Sequence, residues 1–171
     1  LWAEEFGITG IGIDISEDFC KRARQKLASK GLSDRIEIVC TNGADYIFEE
    51  GVFDAATCIG STFIFGGCQQ TLQVLKRAVH QNGRIGIGET HWLSNQVHPE
   101  YAQKQTTTHT EPELTQFTRD EGFELEYIIR ASRDDRVRLA QRAARTTAAL
   151  RAVGVTICYF AGDVADCFVL V

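Results

Sequence analysis

Methionine is absent from the 171 residues and proline occurs only twice. No stretch is low in complexity, and the composition, 44% hydrophobic and 24% charged, lies far from that of chains too polar to bury a core. A basic excess is also missing. Eighteen Lys and Arg against 23 Asp and Glu leave a net charge of -5, so no positive field is available to neutralise phosphates, and nucleic acid is not an expected partner. The six cysteines, Cys20, Cys40, Cys58, Cys68, Cys158 and Cys167, include no C-x-x-C pair and no zinc-ribbon spacing. They read as buried, reduced thiols of a cytoplasmic protein. His91, His98 and His109 likewise lack ligand spacing, and no metal is expected. The most apolar stretch, 153–171, is interrupted by Asp163 and Asp166, each of which costs about 2.5–3.5 kcal/mol at the centre of an inserted helix, so no membrane partner is expected. Residues 1–6 hold an acidic pair without a basic region before an apolar one, and do not read as a signal peptide.

What is present has the rhythm of a single α/β domain spanning residues 1–171. Thr9 to Ile15 is apolar on both faces until Asp14, as a central parallel strand should be. Ser16 caps a following helix whose stripe is Phe19, Ala23 and Leu27, closed by Lys30-Gly31. Arg35 to Cys40 is a second strand, Ala44 to Phe48 a helical turn, and Phe53 to Gly60 a third strand. Leu72, Leu75 and Val79 mark a helix over 69–81 that stops at Asn82-Gly83 before a fourth strand, Arg84 to Glu89. Residues 91–108 are polar and aperiodic, and are expected to form a lid or substrate loop. Glu111-Pro112 opens a helix bearing Leu114 and Phe117, Phe123 to Ile129 alternates as a strand, 130–152 is an Ala- and Arg-rich helix, and Asp166 to Val171 is a last strand.

The succession GIGIDIS, FDAATCIG and LKRAVHQNGRIGIGE resembles the class I S-adenosylmethionine-dependent methyltransferases of the small-molecule type. The resemblance covers nearly the whole chain. It implies a Rossmann-like three-layer sandwich, with a mostly parallel twisted sheet and an antiparallel C-terminal strand. S-adenosyl-L-methionine is the implied cofactor and a small molecule the implied methyl acceptor. Asp14 would accept hydrogen bonds from the two ribose hydroxyls, because a charged acceptor at a strand's carboxyl end suits a vicinal diol, with Ile15 against the adenine. The family usually has an acidic residue in the next turn to read the adenine amino group. Here that position is Asn42, followed by Gly43, Ala44 and Asp45, and either Asn42 or Asp45 could serve. Cys58, Ile59 and Gly60 would offer backbone to the cofactor's amino group, while Ser61, Phe63, Phe65 and Trp92 would line the acceptor chamber. Glu89 or His91 would take a proton from the acceptor if it carries one.

The family's first strand lies at the centre of the sheet and leads into a Gly-rich loop, and the sequence shows no such strand at its start. Residues 1–6 resemble the end of the helix that follows that loop. The expectation is therefore a domain truncated before the Gly-rich motif, lacking its first central strand. The strands ending at Asp14 and Gly60 would then have bare edges open to self-association. Cofactor binding would be weak or absent, a hypothesis that micromolar affinity would refute. Two other functions fit the same residues. A nicotinamide-dependent oxidoreductase fragment would also place an acid such as Asp14 on ribose, but would require a G-x-G-x-x-G motif that the sequence does not show. A non-catalytic binding module would need only the fold.

Overall fold

The computed structural model describes residues 2–93, 103 and 106–130, and the backbone of 153–160 and 167–170. A short helix α1 (Trp2–Glu5) leads into β1 (Thr9–Asp14), α2 (Glu17–Ser29) and β2 (Ile36–Cys40). A 3-10 turn (Gly43–Asp45) precedes β3 (Phe53–Ile59), and a second (Thr62–Phe65) leads to α3 (Cys68–Ala78) and β4 (Val79–Trp92). Then come β5 (His109–Thr110), α4 (Glu111–Asp120), β6 (Leu125–Arg130), β7 (Val153–Phe160) and β8 (Cys167–Leu170). The sheet runs β2-β1-β8-β3-β4-β7-β6, with β5 beside the end of β4. Pairing is parallel from β2 through β4, and β7 is antiparallel to both β4 and β6.

The centre of the sheet departs from the expectation drawn from the sequence. The slot between β1 and β3 is not bare: β8, the last strand of the chain, fills it in parallel, pairing Thr9–Gly12 on one side and Ala55–Thr57 on the other. The antiparallel strand near the carboxyl end is β7, not the last one. A bare slot would leave two rows of backbone donors and acceptors without partners. The sequence of β8, Cys-Phe-Val-Leu, suits a strand enclosed between two neighbours.

Other readings also moved. The helix expected over 69–81 ends at Ala78, and Val79, extended and buried, already pairs with Phe53. The ladder then skips to Arg84 opposite Ala55, so Asn82-Gly83 marks an irregularity within β4 instead of a helix stop. Gly83 is required there, because a Cβ would lie 2.6 Å from that of Val79 and 3.2 Å from the Asp54 carbonyl oxygen. The helical turn expected over 44–48 is the 3-10 turn Gly43–Asp45. In α2 the buried residue is Cys20, while Phe19 is 58% exposed. Ala23 and Leu27 instead border an open apolar groove of about 510 Å³ between α1, α2 and the β1–β2 face. Arg130, the first residue of the helix expected over 130–152, instead ends β6, and 131–152 lie outside the described residues, as do 94–102 and 104–105 of the expected lid. His91 and Trp92, its first residues, belong to β4.

The core lies between α3 and the middle strands. Leu72 and Leu75 are fully buried against Ile13, Phe53, Ala56, Cys58, Ile85 and Ile87, with Leu114 of α4 closing one side. At the start of α4 the Glu113 carboxylate accepts from the Thr110 backbone N–H and hydroxyl, both at 2.7 Å. These bonds hold its carboxyl below the usual carboxylate range. The core thus anchors β1, β3 and β4, the strands whose carboxyl ends carry the candidate residues.

Candidate functional site

Because β1 to β4 run parallel, their carboxyl ends meet along one edge of the sheet. There the chain turns outward to α2 from β1 and to α3 from β3, which makes this edge a switch point of the kind at which open α/β sheets bind ligands. Asp14 ends β1 with its side chain exposed. Its Oδ1 accepts the Ser16 N–H at 2.8 Å, and Ser16 caps α2 through the Phe19 N–H. The carboxylate is thereby fixed at the start of the helix, with the 72%-exposed Ile15 beside it.

The next wall is the turn after β2. Asn42 caps it, its carbonyl oxygen accepting the Ala44 N–H at 3.1 Å, and Gly43 is buried. The Asn42 oxygen named as an adenine reader therefore already serves the turn, whereas Asp45 presents an exposed side chain at the turn's end. This turn and the one at Thr62–Phe65 touch, which brings the β2 and β3 ends into one rim.

On β3, Cys58 is fully buried, and burial pushes its thiol up to about 12, so it is inert and contributes through backbone alone. Ile59 is 43% exposed. Gly60 adopts φ +72° and donates its N–H to the Gly88 carbonyl at 2.7 Å. Nothing lies within 4 Å of the position its Cβ would take, so the strand end faces open space. Gly88 is the opposite case: a Cβ there would sit 2.8 Å from Cγ2 and 2.9 Å from Cδ1 of Ile59. Gly88→Ala is expected to displace Ile59 and the Gly60 backbone, lowering stability by about 1–3 kcal/mol through overpacking. Chemical denaturation measures this, and an unchanged midpoint would show that Ile59 yields freely.

Beyond β3 the chamber residues separate. Ser61 bonds back to the Ile59 carbonyl at 3.5 Å, Phe63 is 66% exposed, and Phe65 packs against the core. Glu89 and His91 are two residues apart on β4 and so share a face. Glu89 accepts the hydroxyl hydrogen of buried Thr62 through Oε2 and the Thr90 N–H at 3.0 Å through Oε1. His91 is 4% exposed and is enclosed by β5 and β7, next to half-buried Trp92. Thr62, which clamps Glu89, was not singled out from the sequence. Within Ser-Thr-Phe-Ile-Phe nothing marks which hydroxyl turns inward. No group of three or more candidate metal ligands occurs among the described residues.

Comparison with known proteins bears on the fold. Residues 1–83 match the family described as "Methyltransferase domain". Over 114 residues the chain is 33% identical to the uncharacterized protein YjhP of Escherichia coli, a match covering 67% of this chain and 46% of that one. It superposes on the X-ray structure of YjhP with a TM-score of 0.75 at 23% identity, over 95% of this chain and 80% of the other. The chain has the class I methyltransferase fold. A SAM-dependent methyltransferase from Geobacter sulfurreducens in complex with S-adenosyl-L-homocysteine shares the fold at a TM-score of 0.74 and 21% identity, over 95% and 78% of the two chains. So does geranyl diphosphate C-methyltransferase from Streptomyces coelicolor, at 0.73 and 15%, over 94% and 65%. In this fold Asp14, the 42–45 turn and Gly60 all follow the carboxyl ends of parallel strands. The chain spans about half the length of its curated relative. No helix among the described residues is long and apolar enough to cross a membrane.

Proposed function

We propose that this chain is the nucleoside-binding core of an S-adenosylmethionine-dependent methyltransferase acting on a small molecule. The observation that carries the reading is an anchored, exposed carboxylate, Asp14, at the switch point of a parallel sheet, beside an exposed apolar side chain and an open glycine strand end. These residues fit the group. Asp14 suits a ribose diol as a charged acceptor, and Ile15 offers a flat apolar ring a platform. Asp45 stands at the adenine side, with Asn42, Gly43 and Ala44 shaping the turn. Gly60 leaves room for the amino-acid end against the backbone of Cys58 and Ile59.

When bound, the cofactor supplies a sulfonium methyl that is electrophilic without further activation. The task left to the protein is alignment, since holding two reactants in line removes much of the barrier. Phe63 and Ser61 shape the acceptor side, with Trp92 and Phe65 behind them. The Glu89 carboxylate, held by Thr62 and the Thr90 N–H, is positioned to receive a proton from an acceptor hydroxyl or ammonium. Buried His91 shares its strand face. The structures of geranyl diphosphate methyltransferase with bound geranyl diphosphate show that the fold admits a small acceptor.

Incubating the protein with methyl-labelled cofactor and a metabolite extract tests the reading. Slow transfer of label to a low-mass acceptor is expected. Nucleoside binding without transfer to any acceptor would favour a binding module, and hydride transfer with a nicotinamide nucleotide would favour the oxidoreductase.

A further inference from the structure

The ribose end of the site rests on two thiols for which methyl transfer has no use. Cys20, in the first turn of α2, is fully buried and donates its thiol to the Asp14 carbonyl at 3.3 Å, with the Val39 carbonyl 4.0 Å away. Cys40, the last residue of β2, pairs in register with Asp14, is exposed, and reaches the Ile15 carbonyl at 3.9 Å. The two sulfurs thus approach consecutive carbonyls of one dipeptide, Asp14-Ile15, from α2 and from β2. Neither thiol is in a disulfide, and the two sulfurs are separated along the chain of contacts by the Asp14-Ile15 carbonyls alone. Of the four cysteines with described side chains, the other two, Cys58 and Cys68, are buried in the core cluster.

We propose that Cys20 and Cys40 form a peroxide-responsive dithiol whose disulfide ties the end of β2 to α2 directly beneath Asp14. The division of labour follows from exposure. Cys40, reachable from solvent, attacks a peroxide oxygen as the thiolate. Its S–O bond forms as the O–O bond breaks, leaving a sulfenic acid and one molecule of water. Cys20 then attacks the Cys40 sulfur, the S–S bond forms as the S–O bond breaks, and the Cys20 proton leaves with the departing oxygen as a second water. Two thiols lose two electrons and two protons, and the peroxide is reduced to two waters. Burial and the neighbouring thiol push Cys20 up, which suits a resolving thiol shielded from direct oxidation. Forming the bond would strip the S–H donors from the Asp14 and Ile15 carbonyls beside the Asp14 side chain, so the oxidised form should hold a nucleoside less tightly. That consequence alone rests on the function proposed above.

The test is hydrogen peroxide at low excess, followed by Glu-C digestion and mass spectrometry. Cleavage after glutamate places Cys20 in peptide 18–37, Cys40 in 38–49, and Cys58 and Cys68 together in 51–89. The expected result is a linked 18–37/38–49 pair that dithiothreitol resolves, absent from Cys40→Ser and replaced in Cys20→Ser by Cys40 over-oxidised to the sulfinate. Linkages scattered over the other cysteines, or over-oxidation of Cys40 in the unsubstituted chain, would overturn the proposal. S-adenosylhomocysteine titration of both forms is a separate readout. A reduced protein that binds no nucleoside would count against the methyltransferase reading, while the peptide linkage would still decide the dithiol.

Discussion

A chain shortened to end at residue 166 is expected to lose its single cooperative unfolding transition and to self-associate. The shortened chain lacks β8, which pairs with four residues of β1 and three of β3 at the centre of the sheet. Its removal leaves the facing N–H and C=O groups of Thr9–Gly12 and Ala55–Thr57 to find water or one another. An unsatisfied buried backbone group costs about 1–3 kcal/mol, so even two or three would consume a large share of a small domain's stability. Two flat strand edges in the middle of a sheet also form a template for another chain. Circular dichroism during heating, with light scattering on the same samples, should show a broad transition and oligomers. A sharp transition at the full-length midpoint, with a monomer, would show that β1 and β3 close on each other without β8.

Leu72→Ala should cost about 2–5 kcal/mol, the range for emptying a well-packed leucine site. Leu72 is fully buried on α3 against the strands that hold both walls of the site, so its loss should also weaken nucleoside binding indirectly. Phe19→Ala is the control. The 58% exposure of Phe19 predicts a change within about 0.5 kcal/mol, although the fourfold spacing Phe19, Ala23, Leu27 would by itself put it in the core. Urea denaturation of the two variants reads the difference, and equal losses would mean that α2 packs on its Phe19 face.

The contrast at Phe19 shows where local pattern stops being informative. A spacing of three or four selects a helical stripe about as wide as one residue's uncertainty, so Phe19 and Cys20 fit equally well until the tilt of α2 against β1 and β2 is known. Ser16 was legible because a cap acts within its own turn, and the end of β1 at Asp14 because a charge closes an apolar run. The turn at 42–45 was legible from Asn42-Gly43. Asn82-Gly83 misled, since the same dipeptide that stops a helix also lets a strand bulge. The place of β8 was not legible at all: four apolar residues specify a buried strand, but which pair of neighbours encloses it depends on chain more than a hundred residues away. The Thr62 to Glu89 bond is hidden for the same reason, since Thr62 looks like an ordinary polar residue until β3 and β4 pair.

The central claim, that Asp14 meets a nucleoside sugar, is tested most directly by titrating the unsubstituted protein and Asp14→Asn with S-adenosylhomocysteine, using ligand-detected nuclear magnetic resonance, which reads weak binding. Asparagine keeps an oxygen for the Ser16 N–H and removes only the charge, so the fold should stand. The account predicts saturable binding weaker than micromolar in the unsubstituted chain and a loss of about tenfold in the variant, the difference between charged and neutral acceptors. Equal affinities, or no saturable binding to the unsubstituted chain, would contradict it.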